Sequence, residues 1–150
     1  MKIALECKPD ERLVMGIGIP RKSIVHQNDK GDVCNFLTKH KGNIGLIDED
    51  PDSPQPGNIR SAKTISHLHG IKELQDEGNN RIVVLCPKLE DWILNACKIS
   101  GIDPLKCHLP SKANELHKEI NGKLDRFDKI VHQLLEAQNP GILRLKALLN

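Results

Sequence analysis

The chain has 150 residues, 38% of them hydrophobic and 28% charged, with a net charge of +2, which suits one domain with a substantial core. That balance gives no overall basic character, and one Trp, two Phe and no Tyr argue against a single-strand stacking platform built from several rings. The five cysteines (Cys7, Cys34, Cys86, Cys97, Cys107) contain no C-x-x-C pair and point to reduced thiols; no apolar run approaches the length of a membrane helix, so a cytoplasmic protein with no membrane association is expected.

Ile3-Ala4-Leu5 reads as a first buried strand ending at Glu6, and residues 10 to 15 as a short helix opened by acidic residues after Pro9 and closed by Gly16 and Gly18. Residues 23 to 26 form a second short strand, a polar turn at 27 to 31 follows, and a helix runs through Val33, Phe36 and Leu37 to about His40. The third strand, residues 43 to 50, is an apolar run bounded by Gly42 and Pro51 that ends in Asp48-Glu49-Asp50. Alternation along a strand puts Asp48 and Asp50 on one face. Two like charges about 4 Å apart repel by about 4 kcal/mol at an effective dielectric of 20, so such a pair calls for a proton or a cation.

Three prolines and a glycine make residues 51 to 58 an exposed loop, with Asp52 inside it. In residues 59 to 80, Ile65, Leu68, Ile71 and Leu74 recur at helical spacing, with Gly70 interrupting them. Residues 81 to 86 are a β-branched fourth strand stopped by Pro87, and residues 89 to 97 form a helix with Leu89, Ile93 and Ala96 inward and Trp92 as a core anchor. Beyond Gly101 the chain reads as helical: one amphipathic stripe from Leu116 to Leu135, weakened at Gly122, then a last helix through Ile142, Leu145, Leu148 and Leu149. These stripes are expected to pack on the domain, the alternative being a dimer or partner surface.

Strands alternating with helices predict an α/β fold with a mostly parallel sheet, in which ligands bind beyond the carboxyl ends of strands. Glu6, Asp48 and Asp50 all sit at such ends. Oxygen-only ligands favour Mg²⁺ or Mn²⁺, and Lys30, with its neighbour Gly31, and Lys88 are candidates to hold a substrate phosphate.

A lone glutamate ending the first strand, a glycine-bearing turn after the second and D-x-D ending the third together resemble the Toprim domain of topoisomerases, bacterial primases, recombination-repair proteins and the overcoming-lysogenization-defect nucleases. The similarity is nearest to small stand-alone Toprim proteins and to that nuclease group, whose first motif extends to an acid four positions on, as in Glu6-Cys7-Lys8-Pro9-Asp10. Pro87-Lys88-Leu89-Glu90-Asp91-Trp92 likewise resembles the group's P-x-L-E-x-W element. The resemblance implies a Toprim/Rossmann-like domain over residues 1 to 103 with a helical C-terminal extension over 104 to 150. It further implies Mg²⁺- or Mn²⁺-dependent nucleic-acid cleavage, with Glu6, Asp48 and Asp50 as the catalytic and metal-binding cluster and Asp10 and Glu90 extending it towards a second metal. Glu6 as a general acid or base is the role implied by strand-passing relatives.

The chain departs from the pattern where Cys7 replaces the glycine usual after the first glutamate and where Pro51-Asp52 follows the D-x-D. No G-x-x-x-x-G-K-[ST] loop is present, so an ATPase partner would be a separate chain, and a homodimer is a further expectation. A dehalogenase-type phosphatase would place D-x-D after the first strand, and a receiver domain needs an acidic pair there; neither matches. The remaining alternative is a Toprim-like module that binds a metal or a protein without turnover.

Overall fold

The computed structural model of the chain describes all residues from Met1 to Asn150. Its centre is one six-stranded sheet made of β1 (Ile3–Leu5), β2 (Ile24–His26), β3 (Ile44–Asp48), β4 (Lys63–Leu68), β5 (Ile71–Gln75) and β6 (Arg81–Leu85). The spatial order is β2-β1-β3-β6-β5-β4. β1 pairs in parallel with β2 and β3, and β3 with β6, while β5 runs antiparallel to both its neighbours. The sheet is therefore mostly parallel, as expected for an α/β fold, with β5 alone reversed.

Alternation along the central strands separates two cores. Ile3, Leu5, Ile44, Leu46, Val83 and Leu85 face a cluster of 28 buried residues. That cluster also takes in α1 (Lys8–Gly16), α4 (Leu89–Ser100), α5 (Ala113–Glu119), α6 (Leu124–Glu136) and α7 (Pro140–Leu149). Ala4, Ile47, Ile82 and Val84 face the opposite way, into a smaller cluster with Val33 and Leu37 of α2 (Lys30–Lys39). α2 lies so close on β3 that a Cβ on Gly45 would stand 2.9 Å from Leu37 Cδ1 and 3.0 Å from Val33 Cγ1. Glycine at this position lets the helix approach the strand that carries the acids.

Two stretches depart from the helical spacing of their apolar residues. Residues 59 to 80 hold no long helix: after a single turn, α3 (Gly57–Arg60), they form the β4–β5 hairpin. Leu68 pairs with Ile71 across His69 and Gly70, which have φ of 55° and 70°. Positive φ at both loop residues is the twist that matches a tight hairpin, and glycine adopts it without strain. The stripe from Leu116 to Leu135 is broken as well, because a 3₁₀ turn at Ile120–Gly122 ends α5 before α6 begins. Leu116, Ile120, Phe127, Ile130, Val131 and Leu134 are all buried, so the helical C-terminal segment belongs to the main core. No helix is long and apolar enough to cross a membrane.

Candidate metal centre

The site follows from sheet order. The chain leaves β1 for β2 on one side and returns past β1 to β3 on the other, so the carboxyl ends of β1 and β3 bound a topological switch point. Glu6 follows β1 and Asp48 ends β3 at this crevice. α1, which starts two residues beyond Glu6, carries Asp10 in its first turn, and α4, entered from β6, carries Glu90 in its own. Asp10 and Glu90 are only 4% and 7% exposed, unusual for carboxylates.

These four side chains act on one another. Burial, then the charges of Asp10, Glu90 and Glu6, push the Asp48 carboxyl up to about 8; the Leu89 N–H, which donates to Asp48 Oδ1 at 3.1 Å, works the other way. Burial pushes Asp10 up to about 7, with a hydrogen bond to the Cys7 thiol opposing the shift and the charges of Glu6 and Glu90 adding to it. Glu6 is also raised, chiefly by burial, with Lys30 pulling it down and Asp29 and Asp50 pushing it up. None of the chain's ion pairs includes Glu6, Asp10 or Asp48. Glu90 has one partner, His117 of α5, whose Nδ1 lies 2.7 Å from Glu90 Oε1.

Asp50 borders this group, its charge felt by Glu6, but is held differently. β3 ends at Asp48, Glu49 N donates to Leu85 O and Asp50 N to Pro87 O, and Asp50 itself has φ of 44°, so strand alternation no longer directs its side chain. It accepts from Ser53 Oγ and lies 3.7 Å from Lys88 Nζ. The Ser53 hydroxyl first, with the Lys88 and Lys30 charges adding to it, holds its carboxyl below the usual range against the opposing effect of burial. Glu49, between the two aspartates, pairs with Lys72 of β5 at 2.6 Å.

Lys30 is committed elsewhere, since its Nζ donates to Glu49 O at 2.9 Å and Gln55 Oε1 at 3.1 Å and so pins the loop after β3. Gly31 lies inside α2, whose N-cap Asp29 accepts from Asp32 N. Lys30→Ala is expected to speed amide hydrogen exchange across residues 51 to 58 several-fold while leaving exchange in β1 and β6 unchanged, as read by mass spectrometry. Of the predicted phosphate-binding residues, Lys88 alone is half-exposed beside the acids. Asp52 is exposed in the loop, and Trp92 is buried with its Nε1 donating to His69 O at 2.9 Å.

His117 is the site residue that sequence reasoning missed; it stands 27 positions from Glu90 and belongs to no recognisable motif with it. An all-oxygen set of desolvated carboxylates, three of which have no ion-pair partner, suits a hard divalent ion. No three His, Cys, Asp or Glu residues stand together in positions to hold a metal ion. Compared with known protein families, curated proteins and solved structures, the chain matches none.

Proposed function

We propose that the chain is a Mg²⁺- or Mn²⁺-dependent phosphodiesterase acting on nucleic acid, with a Toprim-like unit over residues 1 to 103. One observation carries the reading: Glu6, Asp10 and Asp48 meet at the switch-point crevice, hold their protons more tightly than free carboxyls, and have no protein cation paired with them. A divalent cation is the charge this set lacks. When bound, it supplies polarisation of a phosphoryl oxygen and neutralisation of charge on the leaving oxygen. Asp48 and Asp10 are the residues to hold it, with Glu90 beside them. Glu6, whose proton affinity is raised and whose position is at the rim, is suited to move a proton at the reacting oxygen. Lys88 is placed to meet a phosphate next to Asp50. Energy-coupled work on nucleic acid would fall to a separate ATPase partner, since the chain has no phosphate-binding loop of its own.

The second reading is a module that binds metal or protein without turnover. Incubating the protein with supercoiled plasmid, linear DNA and structured RNA in Mn²⁺ or Mg²⁺ separates the two. Cleavage that Glu6→Gln and Asp48→Asn both lose supports the enzyme; equal residual cleavage in all three proteins identifies a contaminant and overturns it. Calorimetric Mn²⁺ binding by the wild type without cleavage of any substrate supports the non-catalytic module.

A further inference from the structure

α5 has two dissimilar faces. Leu116 is buried in the main core, whereas Asn114, His117 and Lys118 point outward and are exposed. The outward face forms one wall of a cavity of about 490 Å³. Its other walls are the start of the loop after β3, with Asp52, and the first turn of α4, with Lys88, Glu90 and Asp91. Such a volume is in the range of ligand clefts.

This cavity adjoins the acidic crevice at two points, Lys88 beside Asp50 at 3.7 Å and His117 against Glu90 at 2.7 Å. Its charges are arranged by wall. The acids Asp52, Glu90 and Asp91 lie on the loop and α4, Lys88 stands at the α4 N-cap, and α5 contributes Lys118, which forms no salt bridge, with the neutral amide of Asn114 four residues earlier. Two ammonium groups on opposite sides of a cleft, one of them next to a carboxylate centre, are matched by successive phosphates of a polynucleotide.

We propose that α5 is the substrate-guiding wall of the site: a nucleic-acid strand lies in this cavity with one phosphate at Lys118 and Asn114 and another at Lys88, leading the following phosphodiester to Asp48 and Glu6. The proposal rests on the nucleic-acid reading above and gives the C-terminal helices a part in binding as well as in packing. His117 lies at the mouth of the cavity, its Nδ1 2.7 Å from Glu90 Oε1.

The test is fluorescence anisotropy of a labelled single-stranded DNA, its duplex and a hairpin RNA over a salt series, with Ca²⁺ in place of Mg²⁺. Lys118→Glu is expected to weaken binding about tenfold and to lower the slope of log K against log salt by about one, and Asn114→Ala to weaken it about threefold. Lys98→Glu makes the same charge change at the far end of α4 and is expected to bind as the wild type does. Both lysines are exposed, and circular dichroism confirms that each variant is folded. Wild-type affinity in Lys118→Glu, or equal weakening in Lys98→Glu, overturns the guiding role and leaves the nucleic-acid reading standing. Failure of the wild type to bind any of the three probes overturns the nucleic-acid reading itself, and this proposal with it.

Discussion

Asparagine in place of Asp48 is expected to slow metal-dependent cleavage at least about a hundredfold and yet, in EDTA at pH 8, to give a protein that melts higher than the wild type. The sign follows from the site. In the folded chain burial and three neighbouring carboxylates push Asp48 from its ordinary 3.8 to about 8. A carboxyl raised on folding favours the folded state below its unfolded pKa, and that contribution is lost as pH rises through the folded value. Asp10, raised to about 7, works in the same direction, so wild-type stability in EDTA should fall between pH 5 and pH 8. The asparagine side chain would keep an acceptor for the Leu89 N–H and remove the charge, recovering about 2 kcal/mol at pH 8 and little at pH 5. Differential scanning fluorimetry checks each part, with Mn²⁺ expected to raise the wild-type melting temperature more at pH 8 than at pH 5 and to do neither in Asp48→Asn. A wild-type melting temperature that climbs from pH 5 to pH 8 in EDTA would show that the carboxylates do not repel one another.

Phe127→Ala is expected to cost about 3–5 kcal/mol, close to the whole stability of a marginal domain. Phe127 is a fully buried side chain on α6, packed in the same cluster as Leu13 and Val14 of α1 and Leu5 of β1. Its loss would leave a cavity in the core that α6 shares with α1, the helix that supplies Asp10. Urea unfolding should show a midpoint lowered by about 2 M with the slope unchanged. A shift under about 0.5 M would mean that the C-terminal helices are an appendage and not part of the core.

The elements legible in the sequence are those whose apolar residues all face one way or are buried throughout. β1, β3 and β6 are continuous apolar runs, and α4 carries one inward stripe, so their places follow from periodicity alone. The β4–β5 hairpin is hidden because Ile71 faces the large core and Leu74 the small one, three residues apart on opposite sides of a strand. Helical spacing and two-sided strand burial coincide over so short a distance, and Gly70, which interrupts the helical pattern, is the turn itself. In the crevice, Glu6 and Asp48 can be placed because strand ends in a parallel sheet line up. Asp50 cannot, since the alternation that would aim it stops two residues earlier. The meeting of His117 with Glu90 depends on how α5 lies against α4, which no local pattern encodes.

The three consecutive acids after Ile47 behave as a three-way junction. Asp50 is balanced by a hydroxyl and Lys88 on the loop side, and Glu49 by Lys72 on the reversed strand. Asp48 receives one backbone N–H against three carboxylates, so its arm alone carries an unbalanced load. Reversing charge at the three positions would therefore have unlike consequences: at Glu49 or Asp50 it opposes a partner the chain already has, whereas at Asp48 it installs the missing counter-charge. A lysine there would act as an internal stand-in for the ion, quieting the crevice and closing it to the chemistry proposed for it.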